Sequence, residues 1–153
     1  MNQEEFNIAI NKLSEMPIIL ENLINDKKTD IRYKPTPDYL SVLETVCHLR
    51  DIENEGFNVR IYKLINEDNS LLPDIDGAKL VIERNYNEDN IDSALSLFKE
   101  ARNNSVNMLK NISMDKLDNE ATLENVGIIS LAKLLTKMIE HDNSHLDELE
   151  NLK

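Results

Sequence analysis

Apolar residues recur every three or four positions in four blocks of the chain, the period of helices that each bury one face. The first block runs from about Glu4 to Asn25, with Phe6, Ile10, Leu13, Met16, Leu20 and Leu23 as its stripe. Pro17 sits inside it, and the spacing predicts a kink or short break there. The second begins at Ser41, followed three residues later by Glu44, the capping-box pattern that opens a helix. It predicts a helix over Val42 to Asn66. The third starts near Asn90 or Asp92 and ends near Ile112, with Ile91, Leu95, Phe98, Arg102, Ser105, Leu109 and Ile112 in line. The fourth follows Gly127, takes Ser130 as its N-cap and runs to about Asn151.

Between these blocks the chain is turn-rich. KKTDIRYKPTPDYL, EDNSLLPDIDG and SMDKLDNEATLENVG read as loops, and AKLVIERNY as a short helical turn or irregular backbone. No strand pattern of comparable length appears. Four long helices predict an all-α four-helix bundle. The length of 153 residues suits a single domain, 1–153, around one core.

The fourth helix is apolar over more than one face. Leu131, Ala132, Leu134, Leu135, Met138 and Ile139 leave only a narrow wet stripe at Lys133, Lys137, Glu140 and Ser144. Such a helix is either central in its bundle or half covered by a second subunit.

Charge removes some partners. The formal net charge of −12 repels phosphate backbones, so neither nucleic acid nor an anionic membrane surface is expected as a partner. No apolar run is long enough to span a bilayer and the N-terminal residues carry no secretory pattern, so a cytoplasmic location is the expectation. The single cysteine, Cys47, has no internal disulfide partner.

The chemistry lies in the histidines. The chain has three, and two of them, His141 and His145, are one helical turn apart in MIEHDNSHLDEL. With Leu134, Met138 and Leu149 they form one stripe facing the bundle interior. His48 sits near the start of the second helix, at the border of its apolar stripe. If the second and fourth helices are antiparallel neighbours, all three rings converge. Two readings fit: hydrogen-bonded core histidines, or the ligands of one divalent ion. That every imidazole in the chain is available to one place favours the ion, because three unpaired buried imidazoles would be costly. Three protein ligands leave a position open, the mark of a catalytic metal. Zinc or nickel suits such nitrogen ligands.

Other polar residues have simple readings beside functional ones. Asp51, one turn after His48, is the first candidate for a base or a partner of the site, and Glu44 the second. Glu53 and Asp142 are further candidates that also read as solvated charges. Arg60 and Arg102 lie on inward stripes and read as ion-pair partners of bundle carboxylates. Cys47 is rotated about 100° from His48 and reads as a buried, inert thiol.

SVLETVCHLRDIE and MIEHDNSHLDEL, with LLPDIDGAKLVIERNY and ALSLFKEARNNSVNML between them, resemble the ordered motifs of the DinB/YfiT-like superfamily over nearly the whole chain. The resemblance implies a bundle of up-down-down-up order, often dimeric. It also implies a divalent metal, nickel or zinc, on His48, His141 and His145. Relatives include thiol-dependent enzymes such as bacillithiol transferases. The expected function is therefore S-transfer to a small-molecule electrophile, with a low-molecular-weight thiol as cosubstrate. The alternatives are a metal-dependent hydrolase and a non-enzymatic metal- or ligand-binding protein. Two departures bear on substrate contacts: Leu40 stands where relatives usually carry Trp, and ATLENVG lacks a histidine that many carry.

Overall fold

The computed structural model describes residues 1–28 and 30–152. Its four long rods are those the periodicity predicts. They are α1 (Gln3–Asp26), a continuous helical run over Val42–Asn66, α5 (Ile91–Lys110) and α6 (Leu131–Asn151). Each begins on a side-chain cap. Asn2 and Glu5 close a capping box at α1, and Ser41 and Glu44 close another at the second rod. Asn90 accepts from the Ser93 amide at 2.9 Å, and Ser130 from the Lys133 amide at 3.1 Å. The rods pack as a four-helix bundle of up-down-down-up order.

The second rod is not uniform. It comprises α2 (Val42–Asp51), a π-helical stretch over Ile52–Phe57 and α3 (Asn58–Asn66). A π turn holds extra residues and re-aims the side chains around it. Here it begins four residues after His48, and Glu53 and Phe57 within it face the interior.

At Pro17 the break offered beside a kink does not occur, and the loop expected before α6 needs correction. Helix α1 runs through Pro17 without a break. Proline leaves the carbonyl four residues earlier, that of Leu13, without its helical donor. The Arg102 guanidinium of α5 donates to that carbonyl at 3.0 Å, so a tertiary hydrogen bond replaces the missing helical one. The supposed loop before α6 contains strands β2 (Glu120–Leu123) and β3 (Gly127–Ser130), which pair antiparallel with Leu123 opposite Gly127. Strand β1 (Leu71–Leu72) adds parallel to β2. Strands of two to four residues are too short for a period of two to stand out. In the turn between them Asn125 has φ of 64° and Gly127 of 115°, conformations that asparagine and glycine tolerate. The stretch after Asp76 forms a short helix, α4 (Gly77–Glu83).

The apolar core forms two clusters. Phe6, Leu13, Ile61, Val106 and Met138 belong to one; Met16, Leu20, Val46, Phe98 and Leu149 to the other. On three of the rods the polar residues Glu53, Arg102, Asp142 and the histidines sit near the junction of those clusters. The bundle thus carries a buried polar belt at mid-height. Leu131, Leu134, Leu135 and Met138 of α6 are buried, and Ala132 and Ile139 pack against the first cluster. The wide apolar surface of this helix therefore places it centrally within one chain.

Candidate metal centre

The belt brings the three histidines together. His48 from α2 meets His141 and His145 from α6, and all three converge through their Nε2 atoms. His141 Nε2 lies 3.3 Å from that of His48 and 3.2 Å from that of His145. The rings pack edge to face, at centroid distances of 4.6 Å for His141–His145 and 4.7 Å for His48–His145. Phe57 presses on His141 from the π-helical stretch, at 5.7 Å between centroids.

The donor chemistry tests whether an ion fits. A neutral ring nitrogen offers one N–H or one lone pair in its plane. One well-aligned hydrogen bond therefore accounts for only one of the two short contacts of His141 Nε2. A cation accounts for both at once. Ligand bonds of about 2.0–2.1 Å at tetrahedral angles place donor nitrogens roughly 3.3–3.4 Å apart. The observed separations of 3.2 and 3.3 Å match. Three imidazoles, each able to offer one ligand atom within 4.8 Å of the others, thus fit a divalent ion.

Burial keeps two of the ligands, His48 and His141, in the metal-binding form. Desolvation, with the neighbouring His145 second, lowers the pKa of His48 to about 4. Desolvation, then His145 and His48, lowers that of His141 to about 3. Both rings are neutral at physiological pH. His145 is oriented through its other nitrogen: Nδ1 lies 3.1 Å from the Glu148 carboxylate. Glu148 was missed in the sequence, although its place three residues after His145 put it on the same helical face. The corresponding atom of His48, Nδ1, is buried and has no hydrogen-bond partner among the described residues.

Neither candidate carboxylate, Asp51 or Glu44, makes a hydrogen bond to a histidine among the described residues. Asp51 accepts from Arg50 at 2.8 Å, Arg84 at 2.9 Å and the Tyr86 hydroxyl at 2.6 Å. Among the described residues no hydrogen bond joins it to a histidine, so it acts on His48 only through its charge. Burial works to raise its pKa, but the bonds from Arg50, Tyr86 and Arg84 leave it below the usual carboxylate range. Asp51 thus lies outside direct reach of the rings because three donors hold it elsewhere. Glu44 closes the capping box and pairs with Lys34 at 3.0 Å.

Glu53 and Asp142 are not solvated charges. They are 1% and 4% exposed and enclose Arg102, itself 1% exposed. Arg102 grips Asp142 with two bonds of 2.8 Å and Glu53 with one of 2.9 Å. Ser105 donates to the other Glu53 oxygen at 2.6 Å. Burial pushes the Asp142 carboxyl up despite the arginine. The ion-pair reading of Arg102 holds. Arg60 differs, donating to the Pro73 carbonyl at 3.1 and 3.2 Å rather than to a carboxylate. Cys47 is fully buried and turned toward Asp89, 3.5 Å away. Burial pushes its thiol up to about 12, so it carries no reactive thiolate.

A cavity of about 470 Å³ opens beside the triad. His48 and His145 form part of its wall, with Lys34, Leu40, Glu44, Gly77 and Val81. A larger cleft of about 720 Å³, between the 35–39 segment and the end of α6, meets none of the histidines and shares only Glu148 with the first. The smaller cavity is the one next to the chemistry.

No protein-family model matches the chain, and no curated protein does. Among solved structures it is similar to YfiT from Bacillus subtilis, described as a probable metal-dependent hydrolase with an unusual four-helix bundle topology. The TM-score is 0.89 at 16% identity, over 98% of this chain and 86% of that one. At this identity the likeness speaks for architecture: the chain has the DinB/YfiT-like four-helix-bundle fold.

Proposed function

We propose that this chain is a divalent-metal-dependent enzyme acting on a small molecule in the cavity beside the triad. The observation that carries the reading is the convergence of three buried Nε2 atoms at ligand spacing on the wall of that cavity. His48, His141 and His145 would hold the ion. A zinc- or nickel-like ion there supplies Lewis-acid chemistry, lowering the pKa of a water or thiol ligand toward neutrality. Glu148 orients His145. Leu40 and Val81 give the substrate an apolar wall.

Hydrolysis is the first reading, supported by the description of YfiT. S-transfer from a low-molecular-weight thiol is the second, supported by the motif resemblance. Cys47 is buried away from the rings, so in that reading the thiol comes from a cosubstrate. Metal analysis of protein purified without a histidine tag tests the common core. Assays of the loaded protein with ester and amide substrates, and with thiol-plus-electrophile mixtures, separate the two chemistries. A metal-binding protein without turnover is the third outcome.

A homodimer is proposed on the resemblance alone, since the apolar face of α6 is covered within the chain. Light scattering at micromolar concentration should give twice the chain mass, and a monomer mass would count against it. Among the described residues no helix is long and apolar enough to cross a membrane.

A further inference from the structure

His145 is fixed by a carboxylate on its second nitrogen, but His48 is not. Its Nδ1 is buried and unpaired among the described residues. Metal-ligating histidines usually donate that N–H to an acceptor, which fixes the tautomer and the ring orientation. Something else must hold this ring. The nearest candidate is Gly77, the first residue of α4. A methyl group built on its Cα would stand 2.5 Å from His48 Cε1 and 3.1 Å from Nδ1. Its φ is not positive, so no left-handed backbone conformation calls for glycine here. What calls for it is the ring.

The backbone of α4 is itself anchored, which makes it a firm backstop. The Asp76 side chain caps the helix by accepting from the Lys79 amide at 3.1 Å. Leu80 and Val81 pack against the core. At the far end Arg84 pairs with Asp51 at 2.9 Å and with Glu55. On its other side the His48 ring meets His145 and His141, at centroid distances of 4.7 and 5.4 Å. The ring is thus wedged between the α4 backbone and its two partner rings.

We infer that Gly77 is a positioning residue of the metal centre: its bare Cα holds the His48 ring by contact, in place of the hydrogen bond that orients His145. The inference rests on the metal reading for its consequence and on packing alone for its cause. Ordinary contact of an added Cβ is 3.4–4 Å, so at 2.5 Å the ring or α4 must give way by roughly an ångström. Ligand bonds tolerate about 0.2 Å. Gly77→Ala should therefore push the His48 ring off its ligand position and weaken that ligand, while leaving His141 and His145 in place.

The test is a double-mutant cycle of Gly77→Ala with His48→Ala, read by zinc affinity in competition with a chromophoric chelator and by thermal unfolding of the metal-free proteins. In the wild-type background Gly77→Ala should weaken zinc binding by about 10- to 100-fold, the range for losing the support of a ligand. In the His48→Ala background it should change affinity by less than about threefold, because the ring it displaces is gone. Metal-free Gly77→Ala should unfold at a lower temperature than wild type, and His48→Ala should relieve that loss. Zinc binding by Gly77→Ala within twofold of wild type would overturn the inference. So would an equal loss in both backgrounds, or a double variant that fails to fold where His48→Ala folds. If wild type itself binds no zinc, the metal reading fails and the unfolding cycle alone decides whether Gly77 packs the ring.

Discussion

Replacing Arg102 by methionine removes the one guanidinium that joins four rods. It leaves Glu53 and Asp142, 1% and 4% exposed, without their cation, and the Leu13 carbonyl, which Pro17 has already deprived of a helical donor, without its tertiary one. Breaking a buried pair by removing one partner costs about 3–5 kcal/mol. An orphaned buried carbonyl adds about 1–3 kcal/mol. Proton uptake by one of the abandoned carboxylates recovers part, leaving a net loss of about 4–6 kcal/mol against a total stability of about 5–15 kcal/mol. At about 2–4 °C per kcal/mol for a chain of this size, the expected fall in Tm at pH 7 is roughly 10–20 °C. Circular dichroism melts of wild type and Arg102→Met measure it. A carboxylate stranded in the interior has its folded pKa raised, so the folded state holds more protons than the unfolded one. The deficit of the variant should therefore shrink as pH falls from 7 to 5. Adding Asp142→Asn should recover part of the loss by the same logic. A fall in Tm under about 3 °C, or a deficit that grows on acidification, would refute the reasoning that the belt is a tightly closed ion network.

Two further predictions concern the centre itself. Metal-free protein should lose stability on acidification below about pH 6.5, where unfolded histidine takes up protons that folded His48 and His141, lowered to about 4 and 3, do not. The slope is up to about 1.4 kcal/mol per pH unit for each ring, and His141→Ala should make the urea-midpoint profile shallower between pH 7 and 5. Glu148→Ala removes the acceptor on His145 Nδ1 and should weaken zinc binding by about 10-fold or more with little change in the melt of the metal-free protein, because its carboxylate is half exposed; zinc titration checks it.

Much of the fold was legible because each rod announces itself locally. The capping residues Ser41 and Ser130 stand where the sequence places them, α5 starts beside Asn90, one of its two expected starts, and the stripe spacing gives the faces. The histidines were legible for the same reason: His141 and His145 share a stripe, and His48 lies at the border of the one on the second helix. What the sequence concealed depends on contacts between rods. Pro17 reads as a helix breaker unless one knows that Arg102 will donate to Leu13. Glu53 and Asp142 read as surface charges unless one knows that Arg102 lies between them, and the π turn that aims Glu53 has no signature in composition. Asp51 was drawn toward His48 by helical spacing, yet Tyr86 and Arg84, more than thirty residues away, hold it. The small sheet escaped because its strands are shorter than the pattern needed to see them.

The claim on which the rest depends is that helix α2 supplies the third ligand to the pair on α6. Zinc affinity of His48→Ala measures this directly, since the variant keeps His141 and His145 one turn apart. Cys47→Ser, whose thiol is buried and turned to Asp89, is the neighbouring control. The account predicts that His48→Ala binds zinc at least 100-fold more weakly than wild type while Cys47→Ser matches it, as expected when a three-nitrogen site is cut to two. Equal zinc affinity for His48→Ala and wild type would contradict it.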